Sequence, residues 1–186
     1  MTIIAKEELQ RKGQELYVDY SVHVIEDRAI YGEIDGLKPV TRRALWAAHK
    51  LGLRHNTRHD KSAKIVGEAI ANYHPHGDVA LYSAVVTAAN SPVPLFDGDG
   101  NFGTMNDPAA AMRYTNARLS KYADTVFFDK FYLSVIDMVP NYDDSREEPL
   151  ILPTLLPNAL INGNFGIAPG VRTQTPSFTI DSLVPV

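Results

Sequence analysis

The stretch KSAKIVGEAIANYHPHGDVALYSAVVTAAN, residues 61–90, carries the clearest structural signal in the chain. Apolar residues recur every three or four positions on both sides of HPHG, which predicts two short helices joined by a tight turn containing Pro75 and Gly77. Asp60 and Asp78 precede these helices, and we expect their carboxylates to cap them. Helix pairs of this kind also occur in proteins that bind no DNA, so the pattern alone leaves the function open.

A further helix and a basic segment precede this pair. The sequence VTRRALWAAHKL, residues 40–51, follows Pro39 and is closed by Gly52, as expected of a short helix. Residues 38–64 contain eight lysine and arginine residues and one aspartate, a formal charge of +7 in a chain whose net charge is −4. Such a block attracts phosphates, although a solvated helix face is the simpler alternative. Together these features predict a helix-turn-helix domain whose helix over residues 79–90 reads DNA.

The N-terminal segment predicts a separate helical arm. Residues 5–26 have apolar side chains at roughly helical spacing and charged side chains on the other faces. This helix either docks on another subunit or packs on its own domain, and the periodicity does not decide between the two.

The second half of the chain is more irregular. We expect loops over residues 95–107 and 141–149, and strand-like structure in the apolar runs 150–156 and 158–171. Thr115 stands where it could cap a helix over residues 116–128. That helix would place Tyr114 just before a helix N-terminus, where backbone N–H groups favour an approaching phosphate.

Composition sets outer limits on the kind of protein. The 186 residues are 45% hydrophobic, enough for one ordinary domain, and no apolar run is long enough to cross a membrane. The N-terminus becomes charged within a few residues, unlike a secretory signal, and the absence of cysteine excludes disulfides. We therefore expect a cytoplasmic protein with no membrane contact.

Tyr114 beside Arg113 is the sharpest candidate for chemistry. A phenol has a pKa near 10 in ordinary surroundings, so it is a poor nucleophile unless a cation or base stabilises the phenolate. An adjacent guanidinium can do so and can also bind a phosphate oxygen. His74 and His76 could bind phosphate or act as a general base. Two histidines without a third ligand do not make a metal site, and we expect none on this chain.

In combination these segments resemble the A subunits of bacterial type IIA topoisomerases, DNA gyrase and topoisomerase IV. The matching words stand in the family's order: YVDYSVHVIEDRAI, DGLKPVTRRAL, KSAKIVGEAIANYHPHGD, LFDGDGNFG, AAAMRYTNARLSKY and LPNALINGNFGIAPG. They cover roughly residues 17–170. The last matching segment is followed by GVRTQTPSFT, where the family usually has a different sequence. The resemblance therefore does not predict the contacts of this segment.

The resemblance implies a role for each matching residue. Tyr114 would attack a DNA phosphodiester to leave a 5′-phosphotyrosyl link, Arg113 would stabilise the transition state, and His76 would accept the proton. Ile167 would intercalate between base pairs and bend the DNA. The remaining positions match DNA-contacting residues: Arg28, Lys38, Arg42, Arg43 and His74.

The resemblance also implies the architecture and the partners. We expect an α+β, mostly helical chain with a helical arm over residues 1–27, a winged-helix breakage-reunion domain over 28–150 and the start of a mixed α/β tower domain over 151–186. The expected partners are double-stranded DNA, a B subunit that binds Mg²⁺ and ATP, and a second A subunit.

Two other functions remain open at this point. The chain could be a non-enzymatic DNA-binding module or decoy, or a regulator that binds the B subunit through the helix over residues 5–26. Formation of a covalent adduct with DNA separates the enzyme from both.

Overall fold

The computed structural model describes residues 3–183 and has an α+β fold. Helices predominate, and three small antiparallel sheets accompany them. The first half contains α1 (Ile3–Val24), a π-helical turn (Ile25–Ala29), α2 (Pro39–Lys50), β1 (Asp60–Lys61), α3 (Ser62–Asn72), α4 (Asp78–Ala89) and β2 (Phe96–Asp99). The second half contains β3 (Asn116–Leu119), α5 (Lys121–Val126), α6 (Lys130–Leu133), β4 (Met138–Pro140), β5 (Glu147–Pro149), α7 (Asn158–Asn162), β6 (Asn164–Ala168), β7 (Val171–Thr175) and α8 (Ile180–Leu183).

The core lies between α2, α3, α4 and a three-stranded sheet in the order β1-β3-β2. Helix α2 begins with proline at its first position, where the missing N–H costs nothing, and its centre is buried from Ala44 to Ala48. Gly52 has φ 71°, the left-handed conformation that ends many helices. The three helices predicted over residues 40–90 are therefore confirmed.

The helix predicted over residues 116–128 is wrong in its first part. Residues 116–119 form β3, in which Ala117 and Leu119 are fully buried and alternate with less buried neighbours. This period of two fits a strand between β1 and β2. Only α5 is helical, and its cap is Ser120, whose side chain accepts a hydrogen bond from the Ala123 N–H. Tyr114 therefore precedes a strand and not a helix N-terminus.

The two aspartate caps are also wrong. Asp60 belongs to β1, and its carboxylate accepts hydrogen bonds from the Lys61 N–H and the Lys64 ammonium group. Asp78 is itself the first residue of α4, and its carboxylate accepts from the Val79 N–H. The capping positions of α3 and α4 make no side-chain hydrogen bond to their helices.

The irregular regions contain more structure than predicted. The expected loop over residues 95–107 includes β2, and the expected loop over 141–149 ends in β5, which pairs with β4. Residues 150–156 form no strand, and 158–162 are helical. The strand-like composition farther along is confirmed by the hairpin of β6 and β7.

Helix α1 confirms the helix predicted near the N-terminus. Its side chains from Lys6 to Tyr20 are exposed, including those of Leu9, Leu16 and Val18. These apolar side chains do not pack on the described part of the chain, whereas Val24 at the end of α1 is buried. Within residues 3–183, none of the helices is long and apolar enough to cross a membrane.

A buried carboxylate joins the segment before α2 to the segment after β5. Asp35 is fully buried and accepts hydrogen bonds from the backbone N–H groups of Leu37 (3.0 Å) and Leu152 (3.1 Å). It also accepts from Arg42 Nε (2.6 Å) and Nη2 (3.0 Å). Next to it, Gly36 has φ 64°, and a Cβ there would collide with a backbone nitrogen of α7. This close approach requires glycine.

We expect Asp35→Asn to lower the free energy of unfolding by about 3 kcal/mol, because it leaves Arg42, whose side chain is only 11% exposed, without a counter-charge. Urea unfolding measures this difference. Glu15→Gln is the matched control, since Glu15 pairs with Arg11 at 3.4 Å on an exposed face and its loss should cost less than about 0.5 kcal/mol. Equal stabilities of the two variants would contradict the role given to Asp35.

Candidate functional site

Tyr114 and Arg113 occupy an exposed turn directly before β3. The Tyr114 N–H donates to the Ala111 carbonyl oxygen at 2.8 Å, and 64% of Tyr114 is exposed. The guanidinium carbon of Arg113 lies 4.9 Å from the centre of the Tyr114 ring. The phenol is thus open to solvent with a permanent cation beside it. A guanidinium in this position can bind the oxygens of a phosphate that approaches the phenol.

A network of buried hydroxyl groups holds this turn in place. Thr115 and Ser62 are fully buried, and the Thr115 hydroxyl donates to Ser62 Oγ at 2.9 Å. The Tyr82 hydroxyl of α4 lies 2.9 Å from Thr115 Oγ1 and donates to the Ala110 carbonyl oxygen at 2.7 Å. The Ser62 N–H also donates to the Thr115 carbonyl oxygen at 3.1 Å. The turn is therefore attached both to the start of α3 and to α4.

This network was not predicted from the sequence, although the sequence contains an indication of it. Ser62, Tyr82 and Thr115 are polar residues at positions where the surrounding pattern requires burial. Buried polar groups need hydrogen-bond partners, so three such positions near one turn indicate a shared network.

A second group of side chains, which we call the histidine cluster, consists of Arg28, Arg43, His74, His76 and Glu148. Arg43 Nη2 lies 2.7 Å from Glu148 Oε1, and its Nε donates to Glu148 Oε2 at 2.9 Å. Arg43 Nη1 lies 3.1 Å from His74 Nδ1. The rings of His74 and His76 stack with their centres 4.4 Å apart. Glu148 is nearly buried, and sequence reasoning did not single it out.

The environment of His74 keeps it neutral. Burial lowers the pKa of His74 to about 4, and the positive charges of His76, Arg43 and Arg28 act in the same direction, against Asp27. A guanidinium can only donate, so His74 Nδ1 accepts from Arg43 and the proton of the neutral ring resides on Nε2. Nε2 is then a donor that could bind a phosphate oxygen. His76, in contrast, is exposed.

Lys38 and Ile167 meet at the β6–β7 hairpin. The Lys38 ammonium group donates to the Phe165 carbonyl oxygen, and burial lowers the pKa of Lys38. Ile167, on the same strand as Phe165, is 63% exposed. The turn that carries Arg28 is also close, since a Cβ on Gly166 would collide with the Ala29 carbonyl oxygen. The hairpin is thus fixed beside two of the predicted DNA-binding residues.

The basic segment is more neutralised than its sequence indicates. Half of its eight cations have carboxylate partners, in the pairs Arg42–Asp35, Arg43–Glu148, Arg54–Asp124 and Lys64–Asp60. Of these four carboxylates, only that of Asp60 belongs to residues 38–64. The guanidinium of Arg42 in particular points inward, while Arg28 is exposed.

The structure does not join all the predicted residues into one site. Among residues 3–183, no hydrogen bond, ion pair or ring contact connects Tyr114 to His74 or His76. The described part of the chain also holds no group of three or more histidine, aspartate or glutamate side chains arranged to bind a metal ion. The chain therefore presents two separate groups, the Tyr114 turn and the histidine cluster.

We expect His74 to titrate near pH 4 in an NMR titration of the ring carbon-bound protons. The unfolded chain binds this proton near pH 6.5, so the stability that the neutral ring contributes is present above pH 6.5 and is lost as the pH falls toward 4. His74→Gln should flatten the pH dependence of unfolding in this window. The pH dependence of unfolding that His49 contributes should persist, because burial also lowers the pKa of His49 to about 4. A His74 midpoint above about pH 6 would contradict the partly buried, Arg43-bonded ring.

We expect Tyr82→Phe to loosen the Tyr114 turn, because it leaves the Ala110 carbonyl oxygen without a donor and removes the contact of α4 with the Thr115 hydroxyl, which keeps its bond to Ser62. The loss of about 1 kcal/mol should speed amide hydrogen exchange at Ser62 and Tyr114 about fivefold. Tyr142→Phe removes an equivalent bond, from the Tyr142 hydroxyl to the Ala71 carbonyl oxygen at 2.8 Å, and should leave both amides unchanged. Identical exchange in the two variants would show that the network does not hold the turn.

Comparison with known proteins agrees with the motifs. The sequence model of the family described as the A subunit of DNA gyrase/topoisomerase IV matches residues 28–185. The DNA gyrase A subunit of Aminobacterium colombiense is 49% identical over 90% of this chain and 21% of the relative. The DNA gyrase A subunit of Helicobacter pylori strain J99 is 49% identical over 92% of the chain and 21% of the relative. The DNA topoisomerase 4 A subunit of Pseudomonas aeruginosa is 44% identical over 93% of the chain and 24% of the relative.

The chain spans about a fifth of the length of these curated relatives. The match nevertheless includes the Tyr114 turn, the histidine cluster and the β6–β7 hairpin. The chain therefore belongs to the family formed by the A subunits of DNA gyrase and topoisomerase IV.

Proposed function

We propose that this chain is the DNA-cleaving part of a type II DNA topoisomerase, in which Tyr114 forms a transient covalent link to DNA. The observation that carries the proposal is the exposed Tyr114 phenol beside the Arg113 guanidinium, on a turn that buried hydroxyl groups hold in place. A nucleophile needs this combination of access, a nearby cation and a fixed position.

The chemistry follows from these groups. Tyr114 Oη attacks the phosphorus of a backbone phosphodiester, the phenol proton passes to a base, and the bond from phosphorus to the 3′ oxygen breaks as that oxygen takes up a proton from water. The products are a 5′-phosphotyrosyl link and a free 3′-hydroxyl. One phosphoester bond replaces another, so the reverse reaction can reseal the strand without an external energy source. Arg113 stabilises the charge that develops on the phosphate oxygens.

We assign the proton acceptor and the DNA contacts to the histidine cluster and its neighbours. His76 is the exposed ring of the stacked pair and is our candidate base. His74 would donate from Nε2 to a phosphate. Arg28, Lys38, Arg42 and Arg43 would complete the DNA-binding surface, and Ile167 would unstack a base step.

We further propose that α2, α3, α4 and the sheet of β1, β2 and β3 form a winged helix, in which α4 contacts DNA. The α3–α4 pair and the antiparallel sheet support this interpretation. Residues 1–27 would be the arm that contacts a partner subunit, residues 28–150 the breakage-reunion domain and residues 151–186 the start of the tower domain.

The proposed partners are double-stranded DNA, a second A subunit, and a topoisomerase B subunit, in the cytoplasm. Mg²⁺ and ATP would be bound by the B subunit, where the metal ion would supply positive charge at the scissile phosphate. Since residues 3–183 hold no metal-binding cluster, no step is assigned to a metal ion on this chain.

The test is covalent trapping. The chain is mixed with a B subunit, the remaining A-subunit portion, Mg²⁺ and supercoiled DNA, and the reaction is then denatured. We expect protein attached to 5′ ends, and Tyr114→Phe should reduce this adduct by at least about 10³-fold because phenylalanine has no nucleophile. Tyr142→Phe, which also removes one hydroxyl from a tyrosine about half exposed, should leave the adduct unchanged.

Failure to form an adduct under every complementation would support the alternative, a non-enzymatic DNA-binding fragment or decoy. An adduct of equal yield with Tyr114→Phe would remove Tyr114 from the role of nucleophile.

A further inference from the structure

The β6–β7 hairpin has two unlike faces. On its inner face, Gly166 lies against the carbonyl oxygen of Ala29, and Thr173 donates to the same oxygen at 3.3 Å. Farther along this face, the Thr175 hydroxyl is 3.1 Å from the Tyr31 hydroxyl. The alternate residues of both strands form an outer face that is exposed to solvent: Phe165, Ile167, Arg172 and Gln174. The inner contacts therefore fix the orientation in which the outer face is presented.

The outer face combines apolar surface with one cation. Ile167 and Arg172 are directly opposite in the strand register, so their side chains emerge on the same side, within about 5.5 Å of each other at Cβ. The guanidinium carbon of Arg172 lies 5.2 Å from the centre of the Phe165 ring, and Arg172 Nη2 donates to Gln174 Oε1 at 3.3 Å. The Arg172 guanidinium thus lies over Phe165 and Gln174, on the same outer face as Ile167.

The charge of Arg172 is not neutralised within residues 3–183. The ion pairs of the described residues include none to Arg172, whereas Arg42, Arg43, Arg54 and Arg118 each have a carboxylate partner. Its single side-chain bond leaves most of the five guanidinium N–H donors available. A fixed cation with free donors in a fork geometry matches a phosphate.

We propose that Arg172 binds a DNA backbone phosphate next to the base step that Ile167 unstacks. This inference rests on the proposed function, which assigns the wedge to Ile167. An inserted side chain opens and kinks the duplex at one step, and the sugar-phosphate strands pass on either side of the insertion. A cation directly across the strand pair from the wedge is therefore at the position where it meets a phosphate.

The test measures the binding of the full chain, carrying Tyr114→Phe to prevent cleavage, to a fluorescent duplex that contains 2-aminopurine. Anisotropy at several salt concentrations gives the affinity and its salt dependence, and 2-aminopurine emission reports unstacking. We expect Arg172→Gln to reduce the slope of log Kobs against log salt by about 0.9, the value for one phosphate contact. Arg172→Lys should restore the slope. Ile167→Ala should remove the 2-aminopurine response and leave the slope unchanged.

Arg11→Gln is the control for net charge, because Arg11 is paired with Glu15 and its loss should leave the slope unchanged. An unchanged slope for Arg172→Gln, together with normal binding, would overturn the phosphate contact. A loss of the 2-aminopurine response without a change in slope would also overturn it, since Arg172 would then act only by packing on Phe165.

The covalent-trapping assay separates this inference from the proposed function. An adduct at Tyr114 with no slope change for Arg172→Gln removes the inference alone. A slope change without any adduct leaves the DNA contact in place and removes the enzymatic function. A chain that binds no duplex at any salt concentration and forms no adduct in the complemented reaction removes both.

Discussion

The interaction that joins the helices to the C-terminal segments is the one made by the buried carboxylate of Asp35. It binds Arg42 and the backbone N–H groups of Leu37 and Leu152, and so joins the start of α2 to the C-terminal segment. The residue between Leu37 and α2 is Lys38, which in turn contacts β6. The relative position of the helices and the hairpin therefore follows from one ion pair and its surrounding amides. Any arrangement that separated Asp35 from Arg42 would leave a buried charge unpaired at a large cost in free energy. The ion pair therefore favours this arrangement over others.

The two candidate groups are held by different kinds of interaction. Neutral hydroxyls and backbone groups fix the Tyr114 turn, while the histidine cluster is arranged around the Arg43–Glu148 ion pair. Hydroxyl networks do not change their protonation near neutral pH, so the turn keeps its geometry over a wide range. The histidine cluster contains groups whose protonation depends on burial and on neighbouring charge.

The sequence was sufficient to predict helices α2, α3 and α4, because their apolar spacing is regular and their ends have proline and glycine signals. It was insufficient for β3, because a four-residue strand offers too short a pattern and Thr115 also fits the role of a helix cap. The charge of the basic segment was misjudged because the acids that neutralise its three paired arginines all come from outside the segment. Tyr114, His74 and His76 were candidates from their residue types and neighbours, and the family resemblance supplied the roles proposed for them. Glu148 and the Tyr82 network depend on contacts between distant parts of the chain.

The contact between Gly166 and Ala29 has a mechanical consequence. Ala29 ends the π-helical turn that continues directly from α1, and no side chain separates its carbonyl oxygen from the backbone of β6. Helix α1 and the β6–β7 hairpin are therefore joined through a direct backbone contact. If a partner moved α1, the hairpin that carries Ile167 and Arg172 would move with it, because close-packed backbone groups transmit a displacement.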